Sequence, residues 1–480
     1  MKKYFTKTNT VIFMAALTLW RCFINATLPL HPDETYYWLW SRHLGLSYYD
    51  HPAMVAYFIK ATTLFSSSPF WVRFSGIALS LILSVLIWKL AMKLFKDKAV
   101  ASGSVLMLNI TPLTMSGVVI ITPDVPSFLF WSLGVYFAWQ AFDTKKPVYW
   151  YLLSASFGLS LISKYTAVLL APCLLLYMLV TEDRKWLKTI HPYLAGLLSC
   201  LFVIPIILWN IKYDWLSVKF QLGHGLGGQT YSLGKVAEYI GGQMLVLGPF
   251  AWLAGIWAAV VFLFKKNKGM LFLSLTSVPV IAFFAFTSLK NAAGPNWPAL
   301  AYFTFSIIIS TYYLLDSTRL KSIVFGTVLL LTFGLSMLAI AHTRFHVVPL
   351  EKMNKEWAVT DATNWFYGWD QLAAELAKYK DVDFILTPSH QLSSEIEYCM
   401  KESVPVHVDL NITRFNQYNL WPSPARSGKG KKAIYVSFYG EALDAYKPYF
   451  GENPEKIDYL KVYRPGLEVR TYRIVYGKIR

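Results

Sequence analysis

The chain has 480 residues, of which 55% are hydrophobic and only 15% charged. A water-soluble core cannot hide that much apolar surface, which excludes an ordinary globular protein and makes this a polytopic membrane protein. The net charge of +17 does not point to nucleic acid, because the basic residues sit in short clusters between apolar runs, the positive-inside pattern.

Lys2, Lys3 and Lys7 precede an apolar run from Val11 to Leu28. It lacks a small-residue cleavage site and reads as a retained helix, not a signal peptide, with a cytoplasmic N-terminus. The segment His31 to Pro52 follows. It sets Asp33, Glu34, Arg42 and Asp50 among Tyr36, Tyr37, Trp38, Trp40, Tyr48 and Tyr49. Aromatic rings of this kind collect at the membrane-water boundary, so the segment is expected along the membrane surface. A second helix is expected near Phe74.

Ala99 to Phe142 gives two spans broken at Thr122-Pro123-Asp124-Val125-Pro126, and Val148 to Val180 gives two short ones meeting near Lys164. Pro192 to Trp209 and Val236 to Phe264 flank an outside loop. Met270 to Leu289 and Trp297 to Leu315 flank the turn Lys290 to Asn296, and a last helix runs from Ile323 to His342. The basic groups at Lys89 to Lys98, Lys145-Lys146, Arg184 to Lys188, Lys265 to Lys268 and Arg319-Lys321 then all fall inside. About eleven spans result, and an odd count from a cytoplasmic start leaves the C-terminus outside.

Residues 343–480 read as a separate α/β domain on a membrane domain of residues 1–342, whose first outside loop covers residues 31–70. Helices are expected at Trp369 to Tyr379 and Leu392 to Met400, and strands at Asp383 to Thr387, Val404 to Val408, Ala433 to Phe438 and Val469 to Val475. A loop from Pro422 to Lys432 interrupts them. Cys22, Cys173, Cys200 and Cys399 form no disulfide framework or metal spacing. No phosphate-binding Gly-rich loop is present.

Charge near membrane depth is costly, so Asp33, Glu34, Arg42, Asp50, His51, Lys60, Asp124 and Lys164 are expected to face a wet cavity and pair with one another. Carboxylates beside cations suit transfer from a phosphate-linked donor: one accepts the acceptor hydroxyl's proton, while cations stabilise the departing phosphate. Each acid also has a structural reading. Asp33 and Asp124 can cap the helices they precede, Glu34 suits a first helical turn, Lys164 can snorkel and His51 can serve a turn. Arg21 reads as a buried partner for a helix carbonyl or carboxylate. Three acids could hold a divalent ion, but nothing in the spacing requires a metal or other cofactor.

Asp33-Glu34, Tyr49-Asp50-His51-Pro52, Thr122-Pro123-Asp124 and Ser163-Lys164-Tyr165-Thr166 resemble the bacterial branch of the dolichyl-phosphate-mannose protein mannosyltransferase superfamily. So do Trp209-Asn210, Asp214-Trp215, Ser217, Asn296-Trp297-Pro298-Ala299, and Asn416-Gln417-Tyr418 with Leu420-Trp421. The branch includes lipid A aminoarabinose transferases, and the resemblance covers nearly the whole chain. It implies a GT-C fold and an inverting glycosyltransferase of the bacterial inner membrane, with the α/β domain in the periplasm. The implied donor is an undecaprenyl-phosphate sugar. The implied acceptor is lipid A, lipopolysaccharide core or another envelope glycan.

By the same resemblance Asp33, Asp124 and Glu34 are the catalytic candidates, and Lys164, His51 and Arg42 the donor-phosphate candidates. Asp50, Tyr49, Tyr37, Asn296, Trp297 and Tyr418 are candidates for the substrate cavity. Asp50 stands where relatives carry glutamate and His51 where they carry lysine, which shifts phosphate stabilisation toward Lys164. Competing readings are a protein O-mannosyltransferase-like enzyme and a flippase for lipid-linked sugars.

Overall fold

The computed structural model describes residues 2–227, 230–265, 267–409, 414–422, 428–440, 444–464 and 467–480. Lys266 of one basic cluster and residues 423–427 of the Pro422–Lys432 loop lie outside the described residues. The chain forms two compact units, one from residues 1–26 and 45–339 and the other from residues 27–44 and 340–480.

The first unit is helical. Lys7–Thr27, Pro69–Phe95, His191–Lys212, Lys268–Thr287 and Arg319–Phe345 are each long and apolar enough to cross a membrane. Three further stretches are bent pairs: Lys98–Ile110 with Pro112–Val119 at 58°, Tyr165–Val180 with Glu182–Lys188 at 114°, and Leu233–Leu247 with Pro249–Leu263 at 106°. Val148–Leu161 and Ala299–Leu314 are shorter apolar helices. Two of the bends fall at Pro112 and Pro249, where the missing N–H and the ring prevent the preceding helix from continuing. At the second, Gly248 takes a φ of 92° that a side chain would resist. The expected spans at 99–142 and 236–264 therefore contain bends that apolar length alone did not disclose.

The expected break at Thr122–Pro126 is narrower than the sequence suggested. The helix Asp124–Thr144 starts inside it, and Pro126 sits in its first turn, where a proline sacrifices no helical hydrogen bond. Arg21 is fully buried; its guanidinium donates to the Asn109 backbone carbonyl at 2.8 Å and to Asn109 Oδ1 at 3.1 Å.

Ion pairs join several of the basic clusters at helix ends. Lys2 reaches Asp97 at 2.8 Å, Lys93 reaches Asp143 at 3.2 Å, Lys145 pairs with Asp183, and Lys268 reaches Glu182 at 3.0 Å. These segments were all assigned to one membrane face from charge alone. Their mutual pairing gathers them at one end of the helical unit.

The second unit is an α/β sandwich. Its strands are β1 (Phe384–Thr387), β2 (Val406–Val408), β3 (Lys432–Phe438), β4 (Lys456–Arg464) and β5 (Leu467–Lys478), in the order β2-β1-β3-β5-β4. β1 runs parallel to β2 and β3, whereas β5 is antiparallel to β3 and β4. Side-chain alternation puts Ile385, Ile434, Val436 and Ile474 in one core with Leu372, Leu392 and Ile396. Phe384, Leu386, Tyr435 and Val475 fill the other face. Gly368, at φ 86°, lies so close to Val462 that a Cβ would approach its Cγ1 to 2.5 Å. β4 escaped sequence detection because it is an edge strand with Lys456, Asp458 and Lys461 among its apolar residues.

The segment 27–44 groups with this second unit, whereas the sequence reading kept it in a domain of residues 1–342. Helix Pro32–Arg42 packs on helix His390–Cys399: Thr35 Oγ1 meets Ser394 Oγ at 3.0 Å, and the rings of Trp38 and Tyr398 stand 5.0 Å apart. Small hydroxyls allow the close approach, and the aromatic pair fills the remaining space.

Candidate functional site

In the helical unit, three of the expected residues converge. Lys164 Nζ lies 2.5 Å from Asp124 Oδ1, and Asn296 Nδ2 donates to Asp124 Oδ2 at 2.7 Å. The Lys164 and Asp124 side chains are 7% and 17% exposed, so the pair is largely withdrawn from solvent. Local folding explains the placement. Asp124 opens a helix immediately after Thr122-Pro123, and Lys164 sits in extended backbone where Val148–Leu161 ends and Tyr165–Leu169 begins. Asn296 lies just before the short turn at Ala299–Ala301. The helix N-cap position is held by Pro123 with no side-chain cap, so Asp124 does not perform the capping role open to it in sequence.

Asp50, His51 and Tyr49 form a tight hairpin closed by a bridge between Ser47 and Pro52 and by a Tyr48 N–H to His51 carbonyl bond of 3.2 Å. Gln221 Nε2 donates to the Asp50 carbonyl at 2.5 Å, and Tyr49 packs on Phe220 at 4.8 Å between ring centroids. Gln221 was missed in the sequence, where an isolated glutamine after an apolar helix carries no signal. Nearby in chain order, Tyr165 Oη shares a 2.9 Å bond with Ser217, and Asn210 is fully buried. Trp297 packs against His224 and Phe284.

The other candidates belong to the α/β unit. Asp33 is half exposed and its backbone N–H donates to His31 Nδ1, so His31, not Asp33, caps helix Pro32–Arg42. Glu34 is fully buried and its Oε2 accepts the His31 N–H at 2.9 Å, closing a capping box. That geometry gives Glu34 a structural contact to its own backbone at the start of the helix. Arg42 forks onto Glu402 at 3.1 and 3.3 Å. Tyr37 is buried, edge-on to Trp40 at 5.0 Å. Tyr418 is buried, stacked on Tyr36, and donates to Glu397 at 3.4 Å.

Among the described residues His342, His346 and Asp361 stand close enough to share a metal ion. Arg464 occupies that position electrostatically. It is 1% exposed, and its guanidinium reaches Asp361 Oδ2 at 3.3 Å, Thr363 at 2.7 Å, Asn364 at 3.0 Å and the His342 carbonyl at 2.8 Å. A cation would have to bind beside a buried guanidinium, so these residues do not fit a metal.

Solved structures match this architecture from end to end. ArnT from Cupriavidus metallidurans in the apo state aligns over 98% of both chains with a TM-score of 0.66 at 14% identity. The chain has the GT-C fold. The same protein bound to undecaprenyl phosphate gives 0.64 over 98% of both chains at 15% identity. The apo oligosaccharyltransferase of Archaeoglobus fulgidus gives 0.53 over 92% of this chain and 70% of that one, at 10% identity. Within this GT-C chain, residues 50–209 match the model of the dolichyl-phosphate-mannose-protein mannosyltransferase family. The match includes Asp50, His51, Asp124 and Lys164 and begins after Asp33. The lipid A galacturonosyltransferase RgtD of Rhizobium johnstonii (strain DSM 114642 / LMG 32736 / 3841) is 23% identical over 312 residues, 62% of this chain and 64% of that protein. The chain thus spans less than two thirds of that relative.

Proposed function

We propose that the protein is an inverting glycosyltransferase of the bacterial inner membrane. It moves a sugar from an undecaprenyl-phosphate donor to lipid A or a related envelope glycan. The observation that carries this reading is the buried Asp124–Lys164–Asn296 cluster in a chain that shares the fold of an undecaprenyl-phosphate-bound structure. The lipid A transferase relative supports the acceptor class. The paired basic clusters support a topology with those helix ends in the cytoplasm and the α/β unit in the periplasm.

In the reaction, the bond between sugar C1 and the phosphate oxygen breaks with its electron pair passing to the phosphate. The acceptor oxygen forms the new bond to C1 from the opposite face and gives its proton to a carboxylate. Lys164 stabilises the charge growing on the departing phosphate, and Asp124 with Asn296 holds that ammonium in place. Asp33, half exposed and relieved of capping by His31, takes the role of acceptor base or orienting group. His51 and Asp50, fixed by their hairpin, line the substrate path with Tyr49 and Trp297.

Purified protein supplied with undecaprenyl-phosphate sugar and lipid A should release undecaprenyl phosphate and yield a glycolipid heavier by one sugar. Intact donor crossing a vesicle without transfer would mark a flippase and overturn the reading.

A further inference from the structure

Gln243 is fully buried in helix Leu233–Leu247 of the helical unit, and nothing in the sequence singled it out. Its side chain meets the backbone at the residue before Asn296: Gln243 Nε2 donates to the Pro295 carbonyl at 3.2 Å. On its other side, Gln243 Oε1 accepts from the buried hydroxyl of Tyr302. We propose that Gln243, held by Tyr302, is a positioning residue for sugar transfer: it fixes the turn that delivers Asn296 to Asp124 and so sets where the Lys164 ammonium stands. The inference rests on the proposed role of Lys164 at the departing phosphate; the chain of contacts from Gln243 to Lys164 does not.

Each link has one possible sense. A backbone carbonyl can only accept, so the Gln243 amide turns its NH2 toward Pro295 and its oxygen toward Tyr302, which then donates. Packing closes the same contact. A Cβ at Gly242 would come within 3.1 Å of Pro295 Cγ, so the helix lies directly against the proline ring. Beyond Pro295 the turn is tied to itself: the Trp297 N–H donates to the Gly294 carbonyl at 3.0 Å, and the Ala299 N–H to the Asn296 carbonyl at 3.1 Å. A displacement of Pro295 therefore carries Asn296 with it. Asn296 Nδ2 holds Asp124 Oδ2 at 2.7 Å, and Lys164 Nζ sits on Oδ1 at 2.5 Å, so the displacement passes to the ammonium.

A side chain that served packing alone would need no amide here. Burying one is costly unless both of its ends are hydrogen-bonded, and a leucine would fill similar space without that cost. Tyr239 supplies the comparison within the same helix. It lies four residues before Gln243, hence on the same face, and its buried hydroxyl donates to the Ile281 carbonyl at 2.9 Å, in helix Val278–Thr287. That bond ties helix to helix, whereas the Gln243 bond ties the helix to the turn carrying Asn296.

Kinetics and chemical labelling of Lys164, both on the full chain in detergent, test the assignment. Gln243→Leu should lower kcat by about 10–10²-fold and leave the acceptor KM within about twofold, the mark of lost alignment at the reacting centre. Tyr302→Phe keeps the ring and removes only the hydroxyl; it should lower kcat in the same sense, and it carries the test if Gln243→Leu does not fold. Tyr239→Phe loses a comparable buried bond and should leave kcat unchanged. In an Asn296→Ala background, Gln243→Leu should reduce kcat no further, because its path to Lys164 is already cut. Lys164 is also read without turnover: reductive methylation followed by peptide mass spectrometry should modify it faster in Gln243→Leu and Tyr302→Phe than in the native protein, and at the native rate in Tyr239→Phe. Equal kcat losses in Tyr239→Phe and Gln243→Leu, multiplied losses in the double variant, or unchanged labelling of Lys164 would overturn the inference. Native protein that transfers no sugar would overturn the proposed function instead, and the labelling would still decide whether Gln243 sets Lys164.

Discussion

Lys164 and Asp124 form a buried ion pair 2.5 Å long whose second carboxylate oxygen is taken by Asn296. Removing one partner strands the other charge in a dry environment, which costs about 3–5 kcal/mol, whereas removing both together costs far less. Asp124→Leu and Lys164→Leu should each lower the melting temperature in detergent sharply, and the double variant should recover most of the loss. Lys164→Met should also slow sugar transfer by about 10²–10³-fold, the scale of a lost electrostatic contact to a leaving group. A double variant that regains stability and full turnover would remove the pair from the mechanism.

Asp33 and Glu34 are adjacent, yet they should respond in opposite ways. Asp33→Asn touches a half-exposed carboxylate, so melting should be unchanged while transfer falls by about 10²–10⁴-fold. Glu34→Ala opens the capping box and should cost about 1 kcal/mol of stability, with turnover lowered only in proportion to folded protein. Full activity in Asp33→Asn would eliminate it as the base.

Glu397 gives the α/β unit a pH signature. Burial, then the charge of Glu402, raises its pKa to about 7 from an ordinary carboxylate value near 4.5. The folded state therefore binds this proton more tightly than the unfolded state. Its contribution is fully present below about pH 4.5 and is lost as pH rises through about 7. Glu397→Gln should flatten the melting-temperature profile between those limits. A profile of unchanged slope would show that the carboxyl does not titrate there.

Arg464 should be among the most sensitive residues of the α/β unit. Arg464→Met leaves Asp361 buried beside the His342 ring and should cost about 3–5 kcal/mol, partly restored by Asp361→Asn. Because Arg464 already supplies positive charge to the His342, His346 and Asp361 group, a chelator should not shift the melting temperature. A chelator-induced drop reversed by a single divalent ion would show that a metal binds there after all.

Much of the fold was legible because it depends on local pattern. Apolar runs marked where helices form in the helical unit, and short apolar runs marked β1, β2, β3 and β5. The site was legible only as a set of residue types. Asp124 lies 40 residues from Lys164 and 172 from Asn296, and spacing in sequence carries no distance between them. The fork of Arg42 on Glu402 was not legible, since it depends on which neighbour arrives across the fold; the capping box of Glu34 is local, but histidine is not among the residues that usually cap a helix.

The sequence by itself determined that this chain crosses membranes, which helix ends carry the basic clusters, and that residues beyond about 340 build a mixed α/β unit. Hydropathy and charge act residue by residue, so they can be read without coordinates. Tertiary packing decided that residues 27–44 join the α/β unit. It also decided that Asp124 pairs with Lys164 instead of capping. Those outcomes come from shape and desolvation between distant segments, and only the folded chain brings such segments together.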